Sequence, residues 1–392
     1  MPVPVQFVQT SKKFESALSQ LRSSDEIAID LEFDKNFYRY GFNLCLVQIF
    51  DGEHCFLIDP LSQNINIEDL FPILENNRIQ KVCFSFDEDL RLLHSLGCIP
   101  KNLYDLGIAS RLLNYPAASL TNLLDEVLGV DTGSSSQQSN WYRRPLNKNQ
   151  KQYAANDVLH LLDLKRTFQK EAGKSEIKKW IEQENEYLNH LDYRGVEHNE
   201  IIREKDMNGF TELEWHRFKK LVYWRDDKGR EFNKPPFQIV NTDVLSDIAK
   251  DSRKLMNWEN TGNIFRKIKT EDVKDELIRL LKEANEEAES LNLSDSEPAK
   301  KQLSGEEHKK MMSEKREINK IKQSFFKPIK DRIEEKYGAE IASYLLSNRI
   351  IDEMITGTNG TIPDYKKNLI METAEELELQ IDSIRKYLAK NS

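Results

Sequence analysis

Long apolar runs are missing from this 392-residue chain, and with them the means to cross a membrane as a helix. Its start, Met1-Pro2-Val3-Pro4-Val5, lacks the basic and apolar segments of a signal peptide. Cysteine is scarce. Cys45, Cys55, Cys83 and Cys98 are the four, none in a C-x-x-C pair, which argues against a disulfide frame and a cysteine zinc site. Reduced core cysteines and a cytoplasmic location are the expectation. A basic excess is missing too: the formal net charge is -9, and residues 1–200 carry about -8 of it. That argues against bulk electrostatic binding of nucleic acid, but it leaves room for a local basic groove and suits a cation site. What the chain does have is 31 % charged and 39 % apolar residues, the balance of a soluble, helix-rich protein of two or three domains.

Ile27-Ala28-Ile29-Asp30-Leu31-Glu32-Phe33 alternates apolar residues with Ala28, Asp30 and Glu32. A period of two predicts a half-buried strand. Asp30 and Glu32 then leave on one face, roughly 7 Å apart at about 3.3 Å of rise per residue. Neighbouring carboxylates on a rigid element repel unless they are protonated, solvated or bridged by a cation. Solvated acids on an exposed face are the ordinary explanation of a lone Asp-x-Glu.

Around this strand the pattern predicts a Pro-spaced first strand and a helix capped at Thr10-Ser11. Two more strands follow at Asn43–Phe50 and Cys55–Asp59, joined through the hairpin signal Asp51-Gly52. From Ile67 onward helices alternate with a strand at Lys81–Phe84, with further helices near 103–130 and from Lys148. Strands first and then alternation indicate an α/β domain with a mixed sheet, ending near residue 195. Residues 205–290 read as a helical domain, with the capping box Thr211/Glu214 and the break Pro235-Pro236. Glu283–Lys310 is Glu, Ser, Lys and Asn with almost no apolar content, plus Pro298 and Gly305, and predicts a linker or a fraying helix end, a flexible acidic tether to a third helical domain at 311–392.

Two further acidic positions stand out. In Ser85-Phe86-Asp87-Glu88-Asp89, Ser85 and Glu88 have capping-box spacing and Asp87 favours the helix dipole, which leaves Asp89 without a local task. Tyr153-Ala154-Ala155-Asn156-Asp157 places a phenol and a carboxylate one turn apart on a helix, with small residues that permit close approach to a sheet. Four carboxylates can hold two hard divalent cations about 3.5–4 Å apart, an arrangement that activates water for phosphodiester cleavage. The tyrosine hydroxyl is suited to aligning that water. Arg143 and Arg144, just before the helix, are candidates for phosphate contacts, while Trp141 is expected to pack.

In these motifs the sequence resembles the ribonuclease D group of the DEDD 3′–5′ exonucleases. Asp30-x-Glu32 is similar to the first motif, Asp89 to the second, and Tyr153-x-x-x-Asp157 to the third in its tyrosine variant; Gln152 stands where the histidine variant has its histidine. Asp51–Leu61, Tyr104–Ala109 and Trp141–Leu146 add to the likeness, whereas Phe84-Ser85 departs from a His-Ala pair frequent in the group. Residues 211–290 resemble the helicase-and-ribonuclease-D C-terminal (HRDC) domain, and 314–392 a divergent second copy.

The resemblance implies a ribonuclease-H-like mixed α/β sheet (residues 1–195) followed by two small all-α HRDC-like domains (205–290 and 311–392). It implies a 3′–5′ exoribonuclease that uses two divalent ions, Mg²⁺ or Mn²⁺, and releases 5′-mononucleotides from the 3′ ends of tRNA precursors and other structured RNAs. Asp30 would bridge both ions, Glu32 and Asp157 would bind the ion that activates water, Asp89 would act through the other, and Tyr153 would orient the nucleophile. A DNA-directed repair exonuclease and an inactive RNA-binding module are the alternatives.

Overall fold

The computed structural model describes residues 3–116, 119–133, 138–195, 201–300, 304–357 and 362–380. Two compact units emerge. One comprises Met1–Glu32, Leu44–Arg194 and Lys309–Ser392; the other Phe33–Asn43 and Gly195–His308.

The first unit is built on a mixed sheet. Its strands are β1 (Val5–Val8), β2 (Glu26–Lys35), β3 (Phe42–Phe50), β4 (Cys55–Ile58), β5 (Gln80–Cys83) and β6 (Leu103–Asp105), in the order β1-β4-β3-β2-β5-β6. β3 and β4 pair antiparallel through the Asp51-Gly52 turn, where Gly52 takes the positive φ that the turn requires. β1 with β4, β2 with β5, and β5 with β6 are parallel. β6 falls where helix was expected. Three residues carry too little alternation to announce a strand, and it is pairing with β5 that makes Leu103–Asp105 one.

β6 is the sheet's edge, and helix Glu176–His190 covers it. Asn189 Oδ1 accepts from the Leu103 N–H (2.8 Å) while its Nδ2 donates to the Leu103 carbonyl (3.1 Å), and Asn185 Oδ1 accepts from the Asp105 N–H (2.6 Å). Spaced by four, the two amides share a helical face and satisfy backbone groups that a neighbouring strand would otherwise pair.

Helices Lys327–Tyr337, Ala339–Leu345, Asn348–Thr356 and Asp364–Glu376 belong to the same unit as the sheet. Phe326, Ile329, Ile341 and Leu345 join one apolar core with Leu112, Phe168 and Trp180. Buried Glu184 accepts from the hydroxyls of Tyr344 (2.8 Å) and Tyr365 (2.5 Å) and pairs with Lys366 Nζ at 2.8 Å. The described part of 311–392 is thus not a tethered third body; its amphipathic helices find their apolar partner on the sheet domain.

The second unit has its own aromatic core of Phe210, Trp215, Phe218, Trp224 and Trp258. The capping box at Thr211 forms, with Thr211 Oγ1 accepting from Glu214 N (3.2 Å) and Glu214 from Thr211 N (2.8 Å). Both ends of the predicted tether are helical, in helices Glu271–Ser290 and Gly305–Ile321. Helix Glu271–Ser290 buries Leu277, Leu281, Ala284 and Ala288, a stripe of period close to four whose last two members are alanines. Within 283–310 the stripe consists of Ala284 and Ala288, which offer too little apolar surface to stand out among the surrounding Glu, Ser and Asn. Among the described residues no helix is long and apolar enough to cross a membrane.

Candidate active site

β2 brings the two acids of the first motif to one place. Its pairing with β5 ends at Ala28, so Asp30 and Glu32 lie on a stretch that β5 does not cover. The ordinary explanation of solvated acids on an exposed face does not hold: Glu32 is 7 % exposed and Asp30 is half-buried. Helix Lys148–Leu159 presents Asp157, while buried Ala154 and Ala155 let it sit close against the protein core. Carboxylate oxygens of Asp30, Glu32 and Asp157 all lie within 4.8 Å of one another.

Asp89 arrives from helix Asp87–Ser95, which follows β5. Its charge acts on Asp30 and Glu32, and the Leu31 N–H favours the ionised form of both Asp30 and Asp89. The predicted capping box at Ser85 does not form. Ser85 has a positive φ of 53°, and its N–H (2.7 Å) and that of Phe86 (2.9 Å) go to the Asp105 carboxylate, which also accepts from Gly107 N at 2.7 Å. Gly107 is required there, since a Cβ would stand 2.6 Å from Ser85 Oγ.

Burial sets the electrostatics. It raises Asp30 and Glu32 well above the usual carboxylate range, and the neighbouring acids push them further. Burial likewise lifts Asp89 to about 7 and Asp157 to about 7, with the Tyr153 hydroxyl, hydrogen-bonded to Asp157, pulling the latter back. Desolvation and like charge both disfavour the ionised cluster, and a divalent cation relieves both. Two observations fit such an ion: the donor set is entirely hard oxygen, and Asp89 Oδ1 is buried with no hydrogen-bond partner.

Gln48 on β3 is a member of the site that the sequence reading did not single out. Fully buried, it directs Nε2 to Asp30 Oδ2 (3.2 Å) and Glu32 Oε1 (3.5 Å), and its own Oε1 has no partner. The signal was available as one amide inside the otherwise apolar run Leu44–Phe50.

The two arginines part company. Arg144 is occupied within the fold: Nε and Nη2 hold both oxygens of buried Asp59 at 2.7 Å, Nη2 also reaches the Cys45 carbonyl (2.8 Å), and Nη1 the Trp141 carbonyl (2.7 Å). Those contacts make it a strut between strands and the loop before the helix, so the structure lends no support to a phosphate contact from it. Arg143 is exposed. Trp141 is buried in the core, its ring 6.2 Å from that of Tyr153.

With this geometry in hand the relatives are informative. Residues 5–172 match the 3′-5′ exonuclease family, and residues 216–254 the HRDC domain family. Ribonuclease D of Bartonella henselae is 28 % identical over 247 residues, 62 % of this chain and 61 % of its own length. Ribonuclease D of Haemophilus influenzae is 30 % identical over 263 residues, 65 % of this chain and 63 % of its own. The chain thus spans less than two thirds of the length of these curated relatives. Among solved structures, that of Escherichia coli RNase D superposes with a TM-score of 0.65 at 22 % identity, covering 100 % of this chain and 99 % of that one. That likeness extends the common fold through the C-terminal helices. Sheet, motifs and relatives point the same way: residues 5–172 are similar to the 3′-5′ exonuclease family and residues 216–254 to the HRDC domain family, and the curated relatives are named ribonuclease D.

Proposed function

We propose that the protein is a metal-dependent 3′–5′ exoribonuclease that trims the 3′ ends of tRNA precursors and other structured RNAs and releases 5′-mononucleotides. The observation that carries this is the meeting of Asp30, Glu32 and Asp157 within 4.8 Å, on a strand and a helix far apart in sequence, in a chain whose relatives are named ribonuclease D. In this proposal Asp30, Glu32, Asp89 and Asp157 hold two Mg²⁺ or Mn²⁺ ions. Bound there, such ions supply an activated water and neutralise charge developing on the scissile phosphate.

The chain's own residues do the rest. Gln48 keeps Asp30 and Glu32 side by side, and Tyr153, held on Asp157, offers a hydroxyl to orient the water. Exposed Arg143 is retained as a candidate phosphate contact. Cys45, Cys55, Cys83 and Cys98 are all buried and none is in a disulfide, which supports a reducing, cytoplasmic setting.

Shortening of labelled RNA and DNA oligonucleotides with Mg²⁺ or Mn²⁺, with and without chelator, tests the proposal. Stepwise loss of 5′-mononucleotides from RNA, stopped by chelator, is expected. Equal or better cleavage of DNA removes the ribonuclease assignment, and inactivity on both leaves a binding module.

A further inference from the structure

Helix Asp87–Ser95, which carries Asp89, is gripped by the last residues of the first unit before the chain leaves it. Residues 191–194 follow helix Glu176–His190 and lie beyond the stretch 5–172 that matches the exonuclease family. Tyr193 makes three contacts with the Asp89 helix. Its hydroxyl donates to Asp87 Oδ1 at 2.5 Å, the Arg91 guanidinium carbon lies 3.8 Å from its ring centre, and its backbone N–H donates to His94 Nδ1 at 3.0 Å.

The contacts reinforce one another. Arg91 Nε reaches Asp87 Oδ2 at 3.1 Å, so the tyrosine hydroxyl and the guanidinium share one carboxylate. Arg91 also lies 3.5 Å from Glu88 Oε1. His94 is buried, and accepting at Nδ1 from a backbone amide fixes its tautomer. On the other side Asp192 closes the turn around Tyr193, accepting from the Arg194 N–H at 2.9 Å and from its Nη2 at 2.5 Å.

Helical geometry gives this grip a direction. At 3.6 residues per turn, Asp87, Arg91 and His94 fall within about 60° of one another around the axis and span about 10 Å along it, whereas Asp89 leaves on the far side. Buried Leu90, Leu92 and Leu93 hold the helix against the core, but apolar burial is non-directional. Hydrogen bonds are directional, so the row of three sets the rotation of the helix about its axis. A rotation of about 10° carries an atom about 5.5 Å from that axis through about 1 Å. A misplacement of about 1 Å can lower a rate about 10²-fold.

We propose that Tyr193 is a positioning residue for Asp89, fixing the rotation of helix Asp87–Ser95 so that the Asp89 carboxylate is aimed at the cation site beside Asp30. The proposal rests on the metal reading of the acids given above. Tyr193 acts through Asp87, Arg91 and His94, not by contact with substrate.

The test compares Tyr193→Ala, which removes ring and hydroxyl, with Tyr193→Phe, which keeps the ring on Arg91 and the backbone N–H on His94. Mn²⁺ binding to the full chain, followed by calorimetry without RNA, should weaken about tenfold in Tyr193→Ala and stay within about threefold of wild type in Tyr193→Phe. On a labelled RNA oligonucleotide, Tyr193→Ala should lower kcat about tenfold or more while KM stays within about twofold. In chelator, amide hydrogen exchange of residues 90–94 should quicken in Tyr193→Ala, while β2 and β3 keep wild-type rates.

Mn²⁺ affinity of Tyr193→Ala within about twofold of wild type overturns the proposal. So does a loss of exchange protection shared equally by β2 and β3, since that is general destabilisation and not the misplacement of one helix. A raised KM with kcat and Mn²⁺ affinity kept also overturns it, by assigning Tyr193 to substrate binding. If wild type binds Mn²⁺ yet leaves RNA intact, the exonuclease reading fails while calorimetry and exchange still decide the role of Tyr193.

Discussion

Two kinds of buried carboxylate stand side by side in this protein. Asp34 and Asp105 are 5 % and 4 % exposed, and each is surrounded by backbone N–H donors: Phe37, Tyr38 and Arg39 for the first, Ser85, Phe86 and Gly107 for the second. Asp89 is buried to a similar extent yet keeps an oxygen with no partner, and Asp30 and Glu32 share the single amide of Gln48. A carboxylate whose lone pairs are filled by amides is a fastener. One left buried, repelled and under-bonded is waiting for a cation. The difference separates structural from functional acids on the same strand, since Asp30 and Asp34 are both on β2.

The comparison breaks most visibly by substitution. Asp30→Asn should lower turnover roughly 10³-fold, corresponding to loss of several kcal/mol of metal-borne stabilisation of the transition state. RNA affinity in chelator should stay near wild type, and a variant with most of its activity would disprove the metal assignment.

Asp105→Ala should act oppositely, on the fold. Leaving three amides without their acceptor should cost on the order of 3 kcal/mol of unfolding free energy, read by urea titration. A stability equal to wild type would show that Asp105 is no fastener.

Gln48→Met fills the same space without the amide donors. It should weaken Mn²⁺ binding about 10- to 100-fold by calorimetry, the usual effect of removing a group that orients metal ligands. Unchanged Mn²⁺ affinity would reduce Gln48 to packing.

The smallest effect is the pH response of the metal-free protein. Folded-state values near 7 for Asp89 and Asp157 lie above those of the unfolded chain, so the folded state keeps protons that the unfolded state releases. Their contribution to stability is complete below about pH 4 and is lost as pH rises through about 7. In chelator the melting temperature should therefore drop between about pH 5.5 and pH 8, and saturating Mg²⁺ should close the gap. A gap that Mg²⁺ leaves untouched would assign the pH response to other groups.

Much of the site was readable in the chain. Strand periodicity placed Asp30 and Glu32 on one face, and helical spacing placed Tyr153 a turn before Asp157; the structure brings the Asp157 carboxylate within 4.8 Å of those of Asp30 and Glu32 and hydrogen-bonds Tyr153 to Asp157. Arg144 shows where such reading stops. Its composition suits a phosphate contact, but Asp59, far off in sequence, takes its guanidinium. Ser85 and Glu88 had capping-box spacing, yet Asp105 claimed the Ser85 amide and turned the backbone to positive φ. In each case a local pattern lost to a partner that local sequence does not reveal.

What the sequence determined by itself is everything that depends on neighbours along the chain. Those features are the alternation of β2, the Asp51-Gly52 turn, the Thr211 cap and the order of the acidic motifs. Tertiary structure alone decided which acids meet and which are filled. It buried the acid-bearing face of β2, set Gln48 between Asp30 and Glu32, made Leu103–Asp105 a strand, and packed the C-terminal helices on the sheet domain. The reason is physical. Periodicity and capping are short-range and repeat with the backbone, whereas desolvation and hydrogen-bond satisfaction depend on what the rest of the fold brings to each group.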